Sequence, residues 1–205
     1  MNRFTLSRWH QTGKRRAASA RPVLELLEDR TVLSTLTVLN ALDSGAGSLR
    51  DAIKAARSGD TILFDSSLSG QTIILTSGEL AITKSLDIEG PGASLLAISG
   101  NNASRVFDVS QNQQPVVVTI AGLTIENGLD SGIAEGGGIF NRSSTLTLTN
   151  DVLSNNVAQG HSTGTPGEGG AIANLGGILM VTGCTFTGNQ ALGCDGGGKG
   201  EGGSG

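Results

Sequence analysis

Seven carboxylates in the second half of the chain are the groups with which it could do chemistry: Asp108, Glu126, Asp130, Glu135, Asp151, Glu168 and Asp195. Clustered carboxylates can hold Ca²⁺ while a neighbouring Lys or Arg takes a proton, the chemistry of a lyase. Two carboxylates ~6.5–9.5 Å apart can instead hydrolyse a glycosidic bond with inversion. Either reaction needs acidic groups at matching positions of stacked strands, with a basic partner beside them. Only Glu135, Glu168 and Glu201 recur at a constant interval, 33 residues, and they lie in Gly-rich turns. Like charges stacked ~4.8 Å apart repel, so these are expected to be solvated loop residues. After residue 110 the basic partners are Arg142 and Lys199. His10 and His161 make no recognisable metal cluster. The chain is therefore not expected to be an enzyme, and no catalytic, cofactor-binding or metal-binding residue is assigned.

Other chemistry-bearing patterns fail on spacing. GCDGGGKGEGG lacks the four-residue interval and the Lys-Ser/Thr ending of a phosphate-binding loop, and no strand and helix flank it. Asp195-Gly196-Gly197-Gly198 has no echo at nine-residue intervals, as calcium-binding repeats require. Thr-rich runs such as TLTLT are ordinary on solenoid strands. Cys184 and Cys194 give no disulfide framework. Cys184 falls on an inward position of VTGCTFTG and is expected as a buried free thiol, with a bridge to Cys194 as the lesser alternative.

Composition describes the scaffold that would carry any site. Of 205 residues 32 are Gly, against a usual ~7%, while aromatics are 3% and charged residues 16%. A core without large aromatics must be built from Val, Ile, Leu and Thr, and a chain so rich in Gly must turn often. Many short strands suit that balance and helical bundles do not. The net charge of −4 argues against a general affinity for nucleic acid.

The strands can be placed. Thr35 to Asn40 alternates, and TILFD, QTIILT, LAIT, SLDIEG, LLAIS and RVFDV follow, each short and separated by Gly, Ser, Asn or Pro. Between the first two, Ser48 reads as an N-cap with Asp51 three residues on. Leu49, Ala52, Ile53 and Ala56 then share one helical face, up to Ser58-Gly59. A helix this short is unstable alone and must lie across something. EGGGIFN at Glu135 and EGGAIAN at Glu168 align Ile139 with Ile172 and Asn141 with Asn174. Leu153-Ser-Asn-Asn and Phe186-Thr-Gly-Asn align at the same interval, whereas Ile125 to Leu153 is shorter. A fixed core with elastic loops is how a solenoid behaves. The expectation is an all-β, right-handed parallel β-helix over residues 35–205, capped by Ser48–Arg57, with Asn141 and Asn174 in a hydrogen-bonded ladder.

GSLRDAI, GDTILFD and ITKSLDIEGPGA, followed by Gly169-Gly170-Ala171-Ile172 and Phe186-Thr187-Gly188-Asn189, resemble right-handed β-helix proteins with polymorphic outer-membrane protein repeats. Gly137-Gly138-Ile139 and Leu153-Ser154-Asn155-Asn156 match in part. The resemblance covers Leu36 to Gly205 and implies an exported, cell-surface or extracellular protein with a structural or adhesive role. Its partners would be cell-surface glycans or other surface proteins, without cofactor. The alternatives are a polysaccharide-acting lyase or hydrolase with its site in further coils, or a gene fragment without function. Residues 1–34 are basic and contain no apolar run long enough for a secretory signal or a spanning helix. LELLEDR suits a short helix, and RPVLELLEDRTVLS resembles the LEPR-type leader of large planctomycete proteins, which implies a largely disordered sorting segment. GCDGGGKGEGGSG departs from the family by lacking terminal coils and a cap. Truncation, with association through a bare end, is the expectation there.

Overall fold

The computed structural model describes residues 33–110, 115–132, 135–160 and 167–193. The leader reading therefore lies outside the described residues except for Leu33 and Ser34, and so do Cys194, Asp195, Lys199 and Glu201.

Strand β1 (Thr35–Val38) precedes helix α1 (Leu49–Ala55). The next turn comprises β2 (Asp60–Phe64), β3 (Gln71–Ile74) and β4 (Leu80–Ile82). A second comprises β5 (Leu86–Glu89), β6 (Leu96–Ser99) and β7 (Phe107–Ser110). The third adds a short extra strand: β8 (Val117–Ala121), β9 (Thr124–Glu126), β10 (Leu129–Asp130) and β11 (Ile139–Arg142). The fourth repeats it in β12 (Thr145–Thr149), β13 (Val152–Ser154), β14 (Val157–Gln159) and β15 (Ile172–Leu175). A last partial turn follows in β16 (Ile178–Thr182), β17 (Thr185–Thr187) and β18 (Gln190–Leu192).

Corresponding strands of successive turns pair in parallel, giving sheets ordered β1-β2-β5-β8-β12-β16, β3-β6-β9-β13-β17, β4-β7-β11-β15 and β10-β14-β18. The described residues thus form an all-β parallel solenoid of about 4 turns carrying one α-helix.

Period-2 alternation sends one apolar column of each sheet into the shared interior. Ile62, Ile88, Ile120 and Leu148 stack in register with 0% exposure. Ile73, Ile98, Ile125 and Leu153 stack likewise in the second sheet, none more than 1% exposed. Each such side chain contributes roughly 1.5–3 kcal/mol by leaving water, so β-branched and Leu residues replace the missing aromatics.

The Glu-Gly-Gly repeat has a steric basis. Gly136 and Gly169 adopt φ +69° and +64°, where a side chain would be strained. At the following glycines, Gly137 and Gly170, a Cβ would collide with the backbone of Val157 and Gln190 respectively. Those two residues are themselves register partners in β14 and β18. The 33-residue spacing therefore records one contact made twice.

Helix α1 closes the first end. Ser48 Oγ accepts from Asp51 N–H at 3.2 Å, and Leu49, Ala52 and Ile53 are buried. The helix is shorter than Ser48–Arg57: Ala56 turns to ψ 150°. Lys84 Nζ donates to the carbonyls of Lys54 and Ala56, capping the free end. Arg50 ties the helix to the turn before β4 through the Gly78 and Glu79 carbonyls, and it pairs with Asp43 at 2.7 Å. Ser48→Ala is expected to lower the unfolding free energy by about 1 kcal/mol, read as a lower denaturant midpoint with an unchanged slope.

Candidate functional site

The sheet β4-β7-β11-β15 carries the densest collection of charge. Its outward column runs Ala81, Asp108, Phe140, Ala173. Just before β7, Arg105 is 5% exposed and spans three turns. Its Nε donates to the Gly136 carbonyl at 2.8 Å, and Nη1 donates to Glu79 at 3.1 Å. Nη2 donates to Asp130 and to the Glu135 carbonyl, both at 2.8 Å. The guanidinium also lies 5.0 Å from the Phe140 ring, which Arg142 covers at 4.9 Å. Phe140 points away from the core yet is only 2% exposed, because these guanidinium groups flank it.

Asp130 holds the loop that follows it by accepting from Gly132 N–H and Glu135 N–H. Burial pushes the Glu79 carboxyl above the usual range against the pull of Arg105, and the nearby Asp108 and Asp130 add to the rise. Asp108 Oδ1 and Glu135 Oε2 are enclosed and make no hydrogen bond among the described residues. An open groove of about 340 Å³, lined by Arg50, Lys54, Glu79, Thr83 and Lys84 among others, adjoins the cluster. A second of about 210 Å³ lies beside Glu135 and Glu168.

The carboxylates singled out by sequence are sorted by this geometry. Asp108, Asp130 and Glu135 gather around Arg105, together with Glu79. Glu135 and Glu168 do stack, in an isolated parallel bridge, but Glu135 is not a solvated loop residue. Its Oε2 is enclosed and the residue is half-buried, whereas Glu168 is exposed as expected. Glu126 lies apart, in β9 between Ser99 and Ser154.

Asp151 is also apart, 1% exposed at the corner between β12 and β13. It accepts from Leu123 N–H at 2.8 Å and Thr149 N–H at 3.1 Å. Burial raises its pKa to about 6 despite those bonds. A folded-state pKa above the unfolded value means the folded chain holds the proton more tightly. The resulting penalty is absent below about pH 4, grows as pH rises from about 4 to 6, and levels off above that. The melting temperature is therefore expected to rise between pH 7.5 and 5, and Asp151→Asn should flatten that rise. An unchanged slope in the variant would contradict the assignment.

Glu79 and Arg105 escaped the sequence reading, which sought basic partners only after residue 110. Their separation of 26 residues, and that of Arg105 from Asp130, 25, is one coil length in the early turns, an interval that the 33-residue repeat does not reveal.

Asn141 and Asn174 form the expected ladder, Nδ2 to Oδ1 at 2.6 Å. A second ladder was missed. Asn156 Oδ1 accepts from Gly128 N–H, and its Nδ2 donates to the Ile125 carbonyl and to Asn189 Oδ1. Cys184 faces the core as a free thiol but is only half-buried, since it lies in the last described turn. Its Sγ accepts from Asp151 N–H at 3.4 Å.

Chemically the cluster is a clamp. Four of the five guanidinium N–H donors of Arg105 are engaged, so this group is neither a proton acceptor nor free for a ligand. Among the described residues no group of three or more His, Cys, Asp or Glu is arranged to hold a metal ion. No described helix is long and apolar enough to cross a membrane.

The fold and its clamp define the class of protein: a parallel β-solenoid braced across its turns by a buried arginine. Compared with known proteins, the chain matches no family model, no curated protein and no solved structure.

Proposed function

We propose that the chain is an exported solenoid module with a structural and adhesive role at the cell surface, of the kind that polymorphic outer-membrane protein repeats build. The observation that carries this reading is the use made of the densest charge cluster. Arg105 is consumed in bracing three turns, so the accessible surface is left to the outward columns of the sheets, where Thr stands beside apolar residues such as Val117 and Met180. Rows such as Thr119 and Thr147, in register on β8 and β12, offer hydroxyls at the ~4.8 Å strand spacing. That spacing suits repeated weak contacts to glycans or to another surface protein.

A second reading, action on a polysaccharide, draws on the half-buried Glu79 carboxyl at the rim of the groove. One experiment separates the two. The purified chain is titrated against immobilised cell-envelope polysaccharides while released reducing and unsaturated ends are assayed. Saturable binding without product is expected. Product formation abolished by Glu79→Gln would replace the adhesive reading with the enzymatic one, and absence of binding and product would reject both.

A further inference from the structure

The face formed by the last described strands, β15 to β18, is read by its own hydrogen-bonding pattern. Columns that are sealed one turn earlier open there. Leu148 is 0% exposed and its partner Val181 is 41%; Leu153 is 0% and its partner Phe186 is 47%. Apolar exposure alone does not identify what covers a surface, but the asparagine ladder does. In each step an Asn Oδ1 accepts the backbone N–H at the equivalent place one turn earlier, first from Gly128 to Asn156 and then from Asn156 to Asn189. The same Asn Nδ2 donates to a carbonyl of the earlier turn, Ile125 for Asn156 and Leu153 for Asn189. Among the described residues the series stops with the Asn189 N–H and the Phe186 carbonyl.

We propose that this face is a docking surface for one further parallel coil of the same repeat, which places an asparagine 33 residues on in the Asn189 column. Only a parallel coil puts an Oδ1 over the Asn189 N–H while its Nδ2 reaches the Phe186 carbonyl. A second copy cannot do so. Its first end is covered by α1, and two copies related by a two-fold axis would present β16 to β16 antiparallel, out of step with the ladder. The strand edge has the same directionality. Ile178 N–H bonds back to Ser144 and Thr182 O accepts from Asn150, so the peptide groups of Leu179 and Val181 face the open side.

The test extends the full chain by a copy of Ile172–Gly193 in place of Gly205, which sets the copied Asn189 at the required interval. The expected result is a melting temperature higher by about 5 °C or more, with binding of an apolar dye retained because the copied strands present the same open columns one turn further on. Changing the copied asparagine to Ala should remove at least half of that gain. An extension that leaves the melting temperature unchanged would overturn the proposal. So would an unextended chain that sediments as a stable dimer with the dye already excluded, because a second copy would then occupy the face.

Discussion

Arg105→Met is expected to cost about 3–5 kcal/mol of folding free energy, the range for removing one partner of a buried ion pair. A domain holds only about 5–15 kcal/mol in total, so the variant should melt about 10 °C lower. Methionine keeps much of the side-chain volume and can still lie against Phe140. The loss therefore falls on the polar partners. Asp130, with a side chain 12% exposed, retains the Gly132 and Glu135 N–H groups but loses its one cation among the described residues. Glu79 is 38% exposed and is partly compensated by water, which places the expected cost nearer the lower bound. The carbonyls of Glu135 and Gly136 lose their donor as well.

Arg105→Lys should recover only part of the loss, since one ammonium cannot reach four acceptors divided between the turns on either side. Adding Asp130→Asn to Arg105→Met should restore stability by removing the unpaired charge. Chemical denaturation of the three variants measures this directly. A cost below 1 kcal/mol for Arg105→Met would mean that the clamp is a surface pair of no structural weight.

Asn156→Ala is the second large effect, about 2–5 kcal/mol. Asn156 is 0% exposed, and its removal strands the Gly128 N–H and the Ile125 carbonyl inside the solenoid. Each buried group left unsatisfied costs about 1–3 kcal/mol, and the cavity adds to that. The comparison that isolates burial is Asn189→Ala. The chemical change is identical, but Asn189 is half-buried in the last described turn, where water can replace the lost bonds. Its cost should be about half as large. Equal costs would show that the ladder acts through side-chain packing and not through desolvated hydrogen bonds.

Fold and clamp differed in how far they could be read from sequence. The turns were legible because each repeats a steric demand: the collision that excludes a side chain at Gly137 recurs at Gly170, and Asn141 stands over Asn174. A repeated demand leaves a repeated residue. The capping helix was legible because Ser48, Asp51 and the Leu49–Ala52–Ile53 face are local signals. Arg105 has no counterpart in other turns, and its acceptors at Glu79, Asp130, Glu135 and Gly136 follow from loop lengths that vary between turns. Asn141 illustrates the same limit. Its Nδ2 joins the ladder, but on the other side its register partner is Val109, and Asn141 Oδ1 is left buried without a donor among the described residues. Sequence alignment shows where a column begins and not what its first member faces.

The measurement that bears most directly on the account is the distance between two outward residues of one column. Thr147→Cys and Met180→Cys, introduced together with Cys184 and Cys194 changed to Ala, place nitroxide labels on register partners of β12 and β16. Adjacent strands lie ~4.8 Å apart, so strong dipolar broadening in the frozen-solution spectrum is the predicted result. A spectrum equal to the sum of the two single-label spectra would contradict the stacking of these turns.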